Sequence, residues 1–337
     1  MFEKGRKLGS GHFATVFVAK RKLDKKVFAV KVINKISLSE DEKALLREEI
    51  AILKLVHHPN IIGTEQIMEG KNSINIVTEL VRGGDLFAHI AGRKTLSEEE
   101  AYTLYLPVIS AVEYLHKMGI IHRDIKPENI LCENGFHNVK IADFGLGKLV
   151  RPNTVLERKC GTPSYVAPEI LDGKLGYGKP ADMWSVGVVM YLTLRGKLPF
   201  RGETDKEITH AILNEPAQFN DSRWRLRSNE LIAFVKLLLS KIPSERLTAS
   251  EALQHEWMKK TYNEINGVTD EGKIEMTDRQ ENGEQKESEE DKMSTEELKS
   301  KLIEVREKNQ QLREELTNGE ILEQKIRNML KRREEKE

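Results

Sequence analysis

Two cysteines in 337 residues, Cys132 and Cys160, are too few for a disulfide framework or a cysteine-built zinc site. Such scarcity suits a reducing compartment, so a cytoplasmic setting, or a nuclear one, is expected. No apolar run approaches the roughly 18 residues of a membrane-spanning helix, and no membrane partner is expected. The opening stretch from Met1 to Lys7 lacks the apolar centre of a secretory leader. Phe2 follows Met1 where an N-myristoylation signal needs glycine. Net charge is also missing, because 54 Lys and Arg balance 54 Asp and Glu. The balance is uneven: residues 1–260 carry about +7 and residues 261–337 about −7. A surplus that thin over the first part does not by itself argue for nucleic-acid binding, and no nucleic-acid partner is expected; it does suit a protein that handles polyphosphate.

What is present falls into three compositional zones. Up to Leu80 the chain alternates strand-like runs and turns. Val16–Lys20 and Val27–Val32 are rich in β-formers, joined through Leu23-Asp24-Lys25-Lys26. Ser39-Glu40-Asp41-Glu42 reads as a capping box opening a helix that carries Leu45, Leu46, Ile50, Leu53 and Leu55. Ile74–Leu80 reads as a further strand, and Gly83-Gly84 as a flexible joint. From there helices dominate: Tyr102–Lys117 is amphipathic, Ala181–Leu194 is apolar on most faces, and Leu231–Leu239 is strongly apolar. A small strand-rich lobe of about 1–81 and a larger helical lobe of about 82–260 make an α+β fold. Residues 261–293 are acidic and poor in large apolar groups, which predicts a disordered linker. Within 294–337, Leu298, Leu302, Val305, Asn309, Leu312 and Leu316 recur at spacings of four and three, which predicts a coiled-coil helix and a homodimer.

The chemistry is concentrated in short motifs. Gly9-Ser10-Gly11-His12-Phe13-Ala14-Thr15-Val16 is a glycine-rich loop whose backbone can approach phosphate oxygens closely. Alone it is a weak signal and reads better as a plain hairpin turn; a dinucleotide-binding loop would open a helix, whereas Thr15-Val16 continues as strand. Lys31 follows Gly9 by 22 residues, at the end of Phe28-Ala29-Val30-Lys31. His122-Arg123-Asp124-Ile125-Lys126-Pro127-Glu128-Asn129 sets an acid, a lysine and an amide together, and Asp143-Phe144-Gly145 begins 14 residues after Asn129. Ala167-Pro168-Glu169, Asp182-Met183-Trp184 and Arg246 follow in order.

From about Phe2 to Lys260 this series resembles the eukaryotic protein kinases, with the two-lobe fold. Lys126 together with Thr162 in Gly161-Thr162-Pro163 is similar to the serine/threonine branch. The resemblance implies ATP and Mg²⁺, with protein substrates. It implies that Lys31 holds the α- and β-phosphates and pairs with a helix glutamate. Glu49, four residues before Leu53, fits that role, and Glu48 stays open as an alternative. Asp124 would be the catalytic base, Lys126 would neutralise the moving phosphoryl group, and Asn129 and Asp143 would hold the metal. Leu8, Val16, Ala29, Leu80 and Leu131 would sandwich the adenine, the backbone of Glu79 and Val81 would bind its edge, and Thr78 would be the gatekeeper. Asp85 and Glu128 match acids that select an arginine upstream of the phosphoacceptor, and equally read as solvated surface acids. Glu169 would pair with Arg246, Asp182 would brace the catalytic loop, and His122 and Phe144 would stack with Leu53.

Leu80-Val81-Arg82-Gly83-Gly84-Asp85-Leu86-Phe87, the segment Cys160–Glu169 and Leu253-Gln254-His255-Glu256-Trp257 resemble the calcium/calmodulin-dependent group, including its doublecortin-like members. The sequence departs from that group twice. The stretch after Trp257 turns acidic where calmodulin-regulated members carry a basic helix, so no calmodulin partner is expected. In the family the activation segment ends at the motif matched by Ala167-Pro168-Glu169, and within it Arg158 stands where many relatives carry a phosphorylatable threonine; Thr154 is out of register, and Glu157 is the expected permanent anion for Arg123. A pseudokinase or scaffold acting through the coiled coil is the alternative. The presence of Lys31, Glu49, Asp124, Asn129 and Asp143 argues against it.

Overall fold

The computed structural model describes residues 2–10, 14–92, 95–150, 156–157, 160–173 and 176–265. Gly11, His12 and Phe13 of the glycine-rich loop, Thr154 and Arg158, and the stretch beyond residue 265 lie outside the described residues. The coiled coil and the homodimer it would support fall in that stretch.

Five antiparallel strands form the first lobe: β1 (Phe2–Ser10), β2 (Ala14–Arg21), β3 (Val27–Asn34), β4 (Thr64–Glu69) and β5 (Ser73–Glu79), in the order β1-β2-β3-β5-β4. Helix α1 (Glu40–Leu55) crosses from β3 to β4. Its start follows from Ser39, whose hydroxyl accepts from the Glu42 amide while the Glu42 carboxylate takes the Ser39 amide. Leu46, Ile52 and Leu53 are the apolar residues that α1 buries, whereas Leu55, read from the sequence as part of the apolar stripe, is 48% exposed. Leu55 is the last residue of the helix, two positions off the Leu46–Leu53 seam, so it turns outward.

Strand alternation builds the roof of the cleft. Phe28 and Val30 of β3 are buried with Ala19 and Val77 in a small core on one face of the sheet. Ala29 and Lys31 therefore fall on the other face. Register sets Val16 opposite Lys31, Val18 opposite Ala29, and Ala29 opposite Thr78. Directly opposed residues share a face, so Val16, Ala29, Lys31 and Thr78 occupy one surface.

The second lobe holds α2 (Leu86–Ile90), α3 (Glu98–Lys117), α4 (Pro168–Asp172), α5 (Pro180–Arg195), α6 (Asp205–Asn214), α7 (Asn229–Leu238), α8 (Ala249–Leu253) and α9 (Glu256–Ile265). Two small antiparallel ribbons sit beside them: β6 (Ile120–Ile121) with β9 (Lys148–Leu149), and β7 (Ile130–Glu133) with β8 (Asn138–Ile141). Helix α5 is buried on nearly every side, as its all-round apolar sequence requires. Pro180 occupies its first turn and Gly196, at φ 76°, ends it. Helix α9 runs to Ile265, so ordered chain extends into the stretch read from sequence as linker from 261. Burial of Trp257, Met258 and Thr261, and the Lys260–Glu230 ion pair, hold it there.

The lobes meet at Glu79–Gly84. Gly83 is required by packing: a Cβ there would stand 2.1 Å from the Cys132 carbonyl oxygen. The Gly84 carbonyl then accepts from the Cys132 amide at 2.8 Å, tying the joint to β7.

Candidate active site

Lys31 projects from β3 and its ammonium lies 2.7 Å from Glu49 and 3.1 Å from Asp143. The lysine's helix partner is thus Glu49, buried on α1; the neighbouring Glu48 instead accepts from Lys148 on β9. Burial works against the Lys31 charge, but Glu49 and then Asp143 outweigh it and hold the ammonium above the ordinary lysine range. Lys31 in turn draws the Asp143 carboxyl below its usual range, against the cleft's desolvation.

Asp124, Lys126, Asn129 and Thr162 converge on one point. Lys126 Nζ is 2.7 Å from Asp124 Oδ2 and donates to Thr162 Oγ1 at 3.0 Å. Thr162 donates to Asp124 Oδ1 at 3.2 Å. The Asn129 amide nitrogen donates to the Asp124 carbonyl at 2.7 Å and to its carboxylate at 3.0 Å. With its nitrogen so engaged, the Asn129 carbonyl oxygen is left as an acceptor. Asn129 Oδ1 and the Asp143 carboxylate make a pair of hard oxygen donors, which suits Mg²⁺, an ion that keeps waters and takes further oxygens from phosphates.

Both loops are strained. Arg123 and Asp143 adopt φ of 68° and 63°, the left-handed region that non-glycine residues avoid. Asp182 holds the first in place: its carboxylate accepts from the backbone amides of His122 at 2.9 Å and Arg123 at 2.8 Å. His116 of α3 completes the brace at 2.9 Å. Burial raises the Asp182 pKa, yet the His116 hydrogen bond and charge outweigh it, so the group sits below its usual range and stays anionic. The His122 and Phe144 rings lie 4.9 Å apart, linking the two loops.

The proposed ligand-lining positions differ in exposure. Val16, Ala29, Thr78, Leu80, Val81 and Leu131 are half-buried, and Leu8 is 42% exposed. Gly9 and Ser10 are exposed at the end of β1, and Ala14 and Thr15 are half-buried at the start of β2. The Glu79 side chain is engaged by the Gly63 amide at 2.6 Å and by Lys140 at 3.0 Å. Asp85 caps α2 by accepting from the Ala88 amide at 2.8 Å, while Glu128 is exposed. Glu169 and Arg246 form a two-pronged pair at 2.8 and 3.0 Å.

One expectation is corrected. Glu157 and Arg123 line the same cavity, but no ion pair joins them. Arg123 instead donates to the Leu146 carbonyl and, at 3.1 Å, to the Tyr177 hydroxyl. Burial and the Cys160 thiol push that hydroxyl up to about 12, so Arg123 meets a neutral phenol. Sequence reading also missed His116, Lys140, Lys148 and Tyr177. Each lies outside the short motifs and meets its partner only across the fold, and no local signal marks them.

The protein kinase domain family matches residues 2–258. Among curated relatives, myosin light chain kinase A of Dictyostelium discoideum is 42% identical over 261 residues, 77% of this chain and 88% of that protein. Calcium/calmodulin-dependent protein kinase type 1B of Rattus norvegicus is 41% identical over 260 residues, 77% of this chain and 75% of that protein. Calcium/calmodulin-dependent protein kinase type I of Schizosaccharomyces pombe is 41% identical over 263 residues, 76% and 78% of the two chains. The chain belongs to the protein kinase domain family, and within it resembles the eukaryotic serine/threonine kinases of the calcium/calmodulin-dependent group.

Proposed function

We propose that this protein transfers the γ-phosphoryl group of ATP to serine and threonine hydroxyls of proteins, with Asp124 as the base. The observation that carries the reading is the convergence of Lys126, Thr162 and Asn129 on the Asp124 carboxylate, beside a Lys31–Glu49–Asp143 cluster. Asp124 orients the substrate hydroxyl and accepts its proton late in transfer. Lys126 neutralises charge on the phosphoryl group in flight, and Thr162 fixes the lysine against the base. Lys31, fully charged beside Glu49, holds the α- and β-phosphates. Asn129 and Asp143 would hold Mg²⁺, which would supply positive charge against the phosphates. The nucleophile is the substrate's own hydroxyl, so positioning and fixed charge supply nearly all the catalysis. A peptide array with purified protein, Mg²⁺ and labelled ATP tests the reading. Labelled serine and threonine peptides are expected, and a chain that binds ATP but labels none would favour the scaffold alternative.

The proposal extends to substrate choice. Glu128 is exposed, and Asp85 keeps one carboxylate oxygen beyond its capping bond. Together they suit the guanidinium of an arginine three residues before the phosphoacceptor. Asp85→Asn keeps the helix cap and removes the charge, which makes it the better probe. Paired with Arg→Ala in the peptide it forms a double-mutant cycle. A coupling of about 1 kcal/mol, fivefold in kcat/KM, is expected; independence of the two changes contradicts the assignment.

Two of the relatives described above are named for calmodulin. The segment that follows α9 here is acidic, which disfavours docking on an acidic partner. Peptide phosphorylation is therefore expected to stay the same when Ca²⁺ and calmodulin are added. Stimulation severalfold would contradict that part of the proposal.

A further inference from the structure

We infer that Glu48 and Lys148 are positioning residues: their ion pair clamps α1 to the catalytic and metal loops and does the work a phosphorylated activation segment would otherwise do. The inference rests on the kinase reading, because what it positions is Glu49 and its partner Lys31.

Two adjacent glutamates on α1, about 100° apart around the helix, pair with lysines from two different strands. Glu49 takes Lys31 from β3, at 2.7 Å. Glu48 takes Lys148 from β9. Lys148 sits at a junction. Its strand pairs with β6, setting Ile121 opposite Lys148, and His122 of the catalytic loop comes next in the chain. Asp143 lies five residues before Lys148 in the same segment. Whatever holds Lys148 thus holds the entrance to the strained loop at Arg123 and the exit from the one at Asp143. The helix already lies close at that place: a Cβ on Gly147 would stand 2.9 Å from Ile52 Cδ1 and 3.5 Å from Phe144 Cβ. Ile52 is one turn beyond Glu48, so the ion pair and the apolar contact fall on one face of α1.

The clamp faces a cavity of about 360 Å³ lined by Asp41, Glu48, Arg123, Lys148 and Glu157 among others. Arg123 in that cavity is satisfied by a carbonyl and a phenol, not by an anion. The Glu48 and Lys148 side chains are 34% and 35% exposed, which screens their attraction less than at a fully open surface. The fixed negative charge therefore stands on the helix itself, and no phosphate is needed to bring α1 to the loops.

The test uses phosphatase-treated full-length protein, its dephosphorylation verified by mass spectrometry. Wild type is expected to phosphorylate peptide in that state. Glu48→Gln should lower kcat/KM about three- to fivefold, with KM for ATP rising. Glu48→Lys would face Lys148 and Arg123, and Lys148→Glu would face Glu48, Glu157 and Asp41; each should lose more than tenfold. The double reversal should recover to within about threefold of wild type, which loss of packing alone would not produce. Hydrogen exchange of the α1 amides is the second readout and needs no catalysis: Glu48→Gln should speed it, and the double reversal should restore it. A double reversal no better than the worse single change, or α1 exchange unmoved by Glu48→Gln, overturns the clamp. Wild-type protein inert only until its activation segment is phosphorylated overturns it as well. Wild-type protein inert in every phosphorylation state overturns the kinase reading instead, while the exchange arm still judges the clamp.

Discussion

Asp124→Asn is expected to lower kcat by about 10²–10⁴ while leaving KM for ATP nearly unchanged. The replacement keeps shape and volume. It removes the anion that faces Lys126 at 2.7 Å and accepts from Thr162 and Asn129. A neutral amide cannot take the substrate's proton, and its NH₂ sets a donor where an oxygen now accepts, facing either Thr162 or Lys126 and Asn129. The fold should persist, because the strained backbone at Arg123 is held by Asp182 and not by the Asp124 side chain. Retention of more than a tenth of wild-type turnover, a deficit under about 1.4 kcal/mol, would remove Asp124 from the role of base. Lys31→Met makes an instructive contrast. It strips the partner from Glu49, whose side chain is only 7% exposed, so the melting temperature should fall along with activity.

The second large effect is on stability. Arg246→Met is expected to cost about 3–5 kcal/mol. The Arg246 side chain is fully buried and its guanidinium meets both Glu169 oxygens, the Pro180 carbonyl at 2.7 Å and the Ser240 carbonyl at 3.0 Å. It also stacks over Trp184 at 5.2 Å. Methionine fills part of the volume but leaves Glu169, 10% exposed, without a counter-charge. Denaturant unfolding measures the loss. Adding Glu169→Leu to Arg246→Met should return part of it, because the stranded carboxylate is then gone. A single change costing under about 1 kcal/mol would mean that the pair is solvated and does not anchor the end of the activation segment.

These two predictions draw on different kinds of legibility. Asp124, Lys126 and Asn129 lie within six consecutive residues, and a loop that short carries its geometry in its own sequence. Strands β2 and β3 were likewise readable, because β-formers alternate there and the faces follow. Strand β4 escaped notice: Thr64–Glu69 is partly to fully exposed along its length and shows little alternation. Choosing Glu49 over Glu48 took the helix phase that the structure supplies, since adjacent residues on a helix differ by about 100°. The braces were out of reach for a different reason. His116 meets Asp182 across 66 residues and Lys148 meets Glu48 across 100, and neither partner carries a mark that periodicity or composition can register. Glu157 shows the converse error. Its charge and position in the chain suggested a partner for Arg123, but the tertiary fold satisfied that arginine with Leu146 and Tyr177 first.

Transfer of phosphate from ATP to a peptide hydroxyl is the central claim, and mass spectrometry of peptides incubated with the purified full-length chain, Mg²⁺ and ATP measures it directly. The account predicts a gain of one phosphate on serine or threonine, absent with the Asp124→Asn protein under the same conditions. Equal phosphate incorporation by both proteins, or none by wild type although it binds ATP, would contradict it.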